Sequence, residues 1–439
     1  MLISLKITNY KSYKELSELS LISNSKIRSN KDHETSINKI NVIKNCGIYG
    51  GNASGKSNLI SAISFIKSLI INDRNMIYNF SFMGCENKPT TFIIIFSTAN
   101  NEIFEYSFSI VKCKNMFNSY DVIEESLYKI NYSTTELIYS YSHNDFTINK
   151  ELLKDKVFNT YVDGFKKLRN MLFLTYINEN DKNINNNILK NYLNSTFAFF
   201  KDDINIISLD NNTFNFINTN NIDTISKYLK EYDTGINDLS FVKCSTDEIH
   251  DIVLSDALNK YIIEAQSKNI NKFSIFNNKG IIQFDINDKD VVIKKLVCNH
   301  KNIKKSISYE DESDGTKRII YLISILLANN QDNKVYFIDE IERSIHPLLA
   351  VKLLKDFQAI NKNKTSQIIF TTHQVAFMDE VLRRDEIYFC EKDNLGNSTL
   401  ESLLEYESRS DSIISKKYLE GRFGAVPNLK VNINDSIRG

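Results

Sequence analysis

At 439 residues the chain exceeds one ordinary core and implies two domains, or one domain carrying a large insertion. Hydrophobic residues make up 42%, ample for a core, and 54 basic side chains balance 54 acidic ones, so no global field draws nucleic acid and any such contact is local. Six cysteines without C-x-x-C spacing, an N-terminus without a charged-then-apolar profile, and apolar runs far short of the roughly 18 residues of a membrane span exclude a disulfide scaffold and a membrane helix, and predict a reduced, cytoplasmic protein.

Residues 3–7 alternate like a strand and lead into Asn9-Tyr10-Lys11-Ser12-Tyr13; residues 16–22 are β-like again. Residues 24–37 are polar without a period, which predicts a surface loop. Residues 39–49 are apolar and β-rich, as in a buried strand. They run into Gly50-Gly51-Asn52-Ala53-Ser54-Gly55-Lys56-Ser57, which fits G-x-x-x-x-G-K-[ST] at every fixed position. Polyphosphate recognition needs a backbone that turns successive N–H groups inward, a helix N-terminus behind the loop, a lysine for the outer phosphates and a hydroxyl for Mg²⁺. Leu59, Ala62, Ile63, Ile66, Leu69 and Ile70 then recur at helical spacing, so the loop has a strand before it and a helix after it. A glycine-rich turn alone leaves Lys56-Ser57 unexplained; the pattern implies a bound nucleoside triphosphate. Residues 91–96 and 104–110 read as two strands joined at Ala99-Asn100-Asn101, and residues 124–130 as a third.

From about residue 150 the pattern changes. Leu152, Leu153, Val157, Tyr161, Phe165 and Leu168 are spaced as in helices. Asparagine-dense stretches at 183–194 and 211–221 are interleaved with Phe197, Phe199, Phe200, Ile204, Ile206, Phe214 and Ile217, which favours a folded segment. Residues 223–270 read as mostly helical, and 273–276, 280–286 and 290–298 as strands. The expected layout is therefore a discontinuous domain over 1–115 and 300–439, with 116–299 inserted as a mostly helical lid plus additional strands. Cys298 and His300 have no second pair at ligand spacing and read as ordinary residues.

The far end brings carboxylates. Val335-Tyr336-Phe337-Ile338 is an apolar strand that ends in Asp339-Glu340. Beside the phosphate-loop strand, such an ending puts Asp339, with Ser57, near Mg²⁺ and Glu340 near a water in line with the γ-phosphate. Residues 367–373 form another apolar strand, ending in His373; next to the Asp-Glu strand, His373 reaches the γ-phosphate region. Glu312-Ser313-Asp314-Gly315-Thr316 precedes an apolar stretch over 319–328 and reads as an N-capped buried helix. Its exposed N-terminus suits a second anion site, aimed at nucleotide held by another subunit.

Taken together, these motifs resemble the ABC-type ATPases of the SMC, RecF and OLD group, and within it the stand-alone AAA ATPases of abortive-infection phage defence, RloA-like proteins included. Asn9-Tyr10-Lys11-Ser12-Tyr13 resembles the opening N-[FY]-[KR]-S-[FY], and the phosphate loop through Asn58 resembles the asparagine-containing Walker A. Glu312-Ser313-Asp314-Gly315-Thr316 is similar to the signature E-S-x-G-T, and Asp339-Glu340-Ile341-Glu342 with Ser344-Ile345-His346-Pro347 to Walker B and the D-loop. Thr371-Thr372-His373 is similar to the switch histidine. Residues 418–427, YLEGRFGAVP, look like the C-terminal signature of the abortive-infection ATPases; the middle matches mainly through Tyr232-Asp233-Thr234-Gly235-Ile236. One departure is the glutamine of the Q-loop, which has no identifiable counterpart.

The resemblance implies an α/β P-loop NTPase, an ABC-type ATPase head with mixed β-sheets and a helical lid insertion. It implies ATP and Mg²⁺ as cofactors, with Lys11, Gly50, Asn52, Ala53, Ser54, Gly55, Lys56, Ser57 and Asn58 around the nucleotide, and Ser57 and Asp339 on the metal. Glu340 would activate water and His373 would sense the γ-phosphate. Two subunits would sandwich two ATP molecules, each completed by the partner copy's signature, here Ser313 and Gly315, with larger assemblies built from such dimers. The function implied is the regulatory subunit of an antiphage system acting on a separately encoded effector, a nuclease by first expectation, because no nuclease constellation follows the ATPase motifs. The alternative is a DNA-associated SMC/RecF-like ATPase of repair or chromosome maintenance. Its local basic clusters would be Lys294, Lys295, Lys301, Lys304 and Lys305, or Lys154, Lys156, Lys166, Lys167 and Arg169.

Overall fold

The computed structural model describes residues 1–426 apart from 74–78, 114–118, 144, 150–155, 167, 169, 181–185, 208–220, 250–258, 260–261, 264, 267–270, 278–279, 287–289, 329–330 and 407–412. Leu152, Leu153, Lys154, Lys167, Arg169, Phe214, Ile217, Pro427 and, of the stretch over 223–270 expected to be mostly helical, most of residues 250–270 lie outside those residues.

In chain order the first strands are β1 (Leu2–Thr8), β2 (Ser17–Ser20), β3 (Glu34–Ile37), β4 (Ile40–Ile43), β5 (Asn45–Tyr49), β6 (Thr90–Ser97), β7 (Ile103–Lys112), β8 (Tyr120–Ile130), β9 (Thr135–Ser142), β10 (Asp145–Ile148) and β11 (Ile204–Ile207). The later ones are β12 (Ile236–Lys243), β13 (Lys272–Asn277), β14 (Gly280–Ile286), β15 (Val291–His300), β16 (Ile307–Ser308), β17 (Val335–Ile338), β18 (Gln367–Thr371), β19 (Ile387–Lys392) and β20 (Ser398–Ser402). The helices are α1 (Lys56–Ile70), α2 (Lys156–Phe165), α3 (Phe173–Asn180), α4 (Asn187–Ala198), α5 (Ile222–Glu231), α6 (Asp314–Leu322), α7 (Pro347–Ile360), α8 (Ala376–Glu380) and α9 (Ile414–Leu419). No helix among the described residues is long and apolar enough to cross a membrane.

The chain divides into two compact units. The first comprises Met1–Ile206, Asn333–Glu340 and the chain from Thr365 onward. One of its sheets has seven strands in the order β10-β9-β8-β7-β6-β1-β2, every neighbouring pair antiparallel. The other has six, in the order β11-β17-β18-β5-β19-β20. Its middle is parallel: β17 pairs β18, β18 pairs β5 and β5 pairs β19, while β20 returns antiparallel on β19. Strands β5, β17 and β18 are buried along their whole length, which is why they read as continuous apolar runs rather than as alternation.

Helix α1 packs into the same core through Phe65, which meets Tyr10, Phe80 and Phe92 at ring separations of 5.5, 5.2 and 6.0 Å. Helix α4 leads into Phe199, whose ring stacks on Phe96 of β6 at 4.2 Å. A buried carboxylate ties α3 to the antiparallel sheet: Glu125 accepts from the Tyr106 and Tyr139 hydroxyls and from the N–H groups of Phe173 and Leu174 at the first turn of α3.

The expected loop over 24–37 holds β3, which forms a hairpin with β4. The turn residues Asn38 and Lys39 have φ of 45° and 70°, the left-handed pair that a two-residue hairpin needs, and the polar composition hid it. The single strand expected over 39–49 is two strands that part at Lys44. The Asp-Glu strand was expected beside the phosphate-loop strand, but β18 lies between them, with Ile338 opposite Phe370 and Thr371 opposite Ile48. Strand composition does not encode which neighbours pair, so this order had to come from the fold.

The second unit comprises Ile207–Asp332 and Ile341–Lys364. Its sheet runs β12-β15-β14-β13, with β16 pairing β15. Residues 236–243, expected to be helical, form β12 because they pair with β15 along its length, from Ile236 opposite His300 to Lys243 opposite Lys294. Helix α6 continues into a π-helical turn over Ile323–Ala328.

Candidate nucleotide site

The phosphate loop follows the C-terminal end of β5, and Gly55 ends it with φ at 118° as the N-cap of α1. A side chain at Gly50 would collide with the Cys390 carbonyl, and one at Gly55 with the Ser398 and Ser12 hydroxyls, so both positions require glycine. Lys56 is 6% exposed, and its ammonium donates to the carbonyls of Gly50 at 2.8 Å and Gly51 at 3.0 Å. The lysine is thus folded over the mouth of its own loop.

The opening motif and the β19–β20 hairpin brace this loop from outside. The Tyr13 hydroxyl donates to the Gly55 carbonyl at 3.2 Å, and the Asn58 amide donates to the Ser12 hydroxyl at 2.8 Å. The Ser54 carbonyl accepts from the Ser398 hydroxyl at 2.6 Å and the Cys390 thiol at 3.4 Å. Burial pushes both the Tyr13 phenol and the Cys390 thiol above their ordinary pKa, so both remain neutral. Lys11 sits against α1, where its ammonium donates to the Ser61 hydroxyl at 2.5 Å, and it does not line the cleft.

Asp339 and Glu340 follow β17, and Thr371, fully buried at the end of β18, joins them. Its hydroxyl donates to the Asp339 carboxylate at 2.6 Å and accepts the Glu340 N–H at 2.8 Å. Glu340 has φ of 46°, a left-handed conformation that costs a non-glycine residue roughly 1–2 kcal/mol and that the Thr371 contact holds in place. Residues 52–58, Glu340, His373 and Lys392 line one open cleft of about 470 Å³, inside the ~300–1,000 Å³ range of small-molecule sites. Asp339 stands next to that lining and Gly50 forms the loop's base. Sequence reasoning missed Lys392 and named Thr371 only within the Thr371-Thr372-His373 motif; each ends an apolar strand of the parallel sheet, which is the signal that points to them.

In the second unit, Ser313 is the N-cap of α6 and its hydroxyl accepts the Thr316 N–H at 3.1 Å. A Cβ at Gly315 would lie 2.5 Å from the Ser344 carbonyl, so the signature and D-loop backbones meet too closely for any side chain. The C-terminal signature has a clear packing role in the first unit. Phe389 of β19 stacks on Tyr418 at 5.6 Å and on Phe423 at 5.3 Å, and Tyr418 meets Tyr49, the residue before Gly50, at 5.9 Å. Glu391 accepts the Ala425 N–H, and a side chain at Gly424 would overlap its carboxylate.

A glycine loop at the end of a parallel strand, a helix behind it and carboxylates at the end of the next strand but one define a P-loop NTPase of mixed α/β architecture, the ABC-type head expected from the motifs. The family model described as "AAA domain, putative AbiEii toxin, Type IV TA system" matches residues 46–379, and the chain belongs to that AAA family. Among solved structures, an SMC head bound to the C-winged helix domain of ScpA is 14% identical, over 91% of this chain and 97% of that one, with a TM-score of 0.42. The SMC head domain of Thermotoga maritima is 11% identical, over 93% and 99%, at 0.35. The Smc head of Pyrococcus furiosus with an extended coiled coil, bound to the C-terminal domain of ScpA, is 12% identical, over 96% and 99%, at 0.41. No curated protein matches the chain.

Proposed function

We propose that the chain is an ATP-hydrolysing regulatory subunit of an abortive-infection system, whose ATP-bound assembly controls a separately encoded effector. The observation that carries the ATPase part is the single cleft shared by the phosphate loop, Glu340 and His373. The words "putative AbiEii toxin, Type IV TA system" in the family's description support the defence part.

In this reading Lys56 exchanges the Gly50 and Gly51 carbonyls for β- and γ-phosphate oxygens. The Ser57 hydroxyl and the Asp339 carboxylate are oxygen donors of the kind Mg²⁺ takes, and Thr371 orients the second of them. Bound there, the metal neutralises charge on the phosphate oxygens. Glu340 accepts a proton from the attacking water, and His373 contacts the γ-phosphate. Two copies sandwich two nucleotides, each phosphate loop completed by Ser313 and Gly315 of the other copy, and domains 1–115 plus 300–439 act as the head around the 116–299 insertion.

Glu340→Gln tests the chemistry. Loss of a general base costs about 10²–10⁴-fold, so phosphate release should fall by that factor while ATP binding persists; normal turnover would remove Glu340 from the role. The native mass of this variant in ATP should be at least twice that of Lys56→Ala, and equal masses would argue against the sandwich. Co-expression with the neighbouring gene product, followed by a pull-down in ATP and in ADP, tests whether an effector is held.

A further inference from the structure

We propose that Lys392 is a second phosphate-binding cation of this cleft, placed to hold the α-phosphate end of the nucleotide; this rests on the nucleotide-binding reading above. Lys392 ends β19 and lines the cleft with the phosphate loop. Its direction follows from its strand. Side chains alternate along a strand, and Cys390, two residues earlier, points its thiol at the Ser54 carbonyl. Glu391, between them, points the other way and accepts the Ala425 N–H. Ser398, directly opposite Lys392 on β20, donates to the same Ser54 carbonyl as Cys390. Lys392 therefore shares the loop-facing side of the hairpin.

The hairpin itself is fixed by Asp393, whose carboxylate accepts the N–H groups of Leu395 at 2.9 Å and Asn397 at 2.8 Å. Among the described residues the Lys392 ammonium makes no hydrogen bond or ion pair, so no protein anion competes for it. A lysine is a compact charge on a flexible stem, suited to a phosphate oxygen.

Sheet order sets which phosphate it meets. β18 and then β17 lie on one side of β5, and β19 lies on the other. His373 and Glu340, assigned to the γ-phosphate, come from the first side, and Lys392 comes from the second. A triphosphate whose γ end faces Glu340 extends its α end toward Lys392.

Calorimetric titration with Mg-ADP and with a non-hydrolysable Mg-ATP analogue tests this on the wild type, Lys392→Met and Lys392→Arg. An exposed charge contact supports roughly a fivefold effect, so Lys392→Met should weaken both nucleotides by about that same factor, and Lys392→Arg should restore most of the loss. An unchanged ADP affinity in Lys392→Met overturns the inference, whether or not the ATP analogue is weakened, because the contact would then be absent or at the γ-phosphate. Equal losses in the Met and Arg variants overturn it too, since charge would not be the cause. A wild type that binds neither nucleotide defeats the underlying reading instead.

Discussion

Thr371 is the hinge of the acidic pair. One hydroxyl serves two neighbours, the Asp339 carboxylate and the Glu340 N–H, inside a fully buried strand end. Replacing it with valine keeps the shape and removes both bonds. A buried donor left without its partner costs about 1–3 kcal/mol, so Thr371→Val should lower the unfolding free energy by that amount and slow hydrolysis, whereas Thr371→Ser should preserve both. If the valine variant hydrolyses ATP at the wild-type rate, the orientation of Asp339 and Glu340 does not depend on this hydroxyl. The left-handed backbone of Glu340 gives the same residue a second reason to matter. Loss of the N–H bond to Thr371 removes one anchor of that conformation, and relaxing it would swing the carboxylate away from the cleft.

Larger pieces are positioned by backbone contact more than by side-chain chemistry. The Ser344 carbonyl touches the space a Gly315 side chain would fill, so the start of α6 and the segment before α7 meet backbone to backbone. Forcing a methyl group into such a site costs about 1–3 kcal/mol. Gly315→Ala should therefore lower the melting temperature and abolish ATP-dependent self-association in sedimentation, while ADP binding to the phosphate loop survives. The C-terminal signature is an element of the same kind. Phe423 is 2% exposed and stacks on Phe389, one strand away from the phosphate-loop strand. Phe423→Ala should cost about 3–5 kcal/mol and weaken nucleotide affinity through β19 and Tyr49. Unaltered stability would mean the aromatic stack is dispensable.

For the molecule as a whole, nucleotide and pH should both shift the unfolding equilibrium. A ligand that binds only the folded state at 100 times its Kd adds about 2.7 kcal/mol, so Mg-ADP should raise the thermal transition in the wild type and much less in Lys56→Ala. Acid should act through a buried ionic cluster at the other end of β5. Arg383 grips Asp385 through two bonds of 3.0 and 2.7 Å and reaches Glu34 at 3.2 Å, while Glu386 accepts from His33 and Asn45. Partial burial opposes ionisation of Glu34, but Lys31, Ser23 and Arg383 together hold its carboxyl below the ordinary range. A depressed folded-state pKa adds stability that is present at neutral pH and lost as pH falls through the ordinary carboxylate value toward the folded one. The wild-type melting temperature should thus fall more steeply below about pH 5 than that of Glu34→Gln.

The nucleotide loop, its helix, the carboxylate strand and the histidine strand were readable because each is a local pattern: phosphate chemistry dictates residue types at fixed spacing, and burial on both faces dictates apolar runs. Pairing is not local. That β18 separates β17 from β5, that 236–243 is a strand because β15 offers it a partner, and that a polar stretch closes as the β3–β4 hairpin all follow from contacts between distant segments. The same holds for Lys392 and for the hydrogen bonds of Thr371. Both residues are of common type; they become part of the site because parallel strands bring their C-terminal ends to one edge of the sheet, where the phosphate loop also lies.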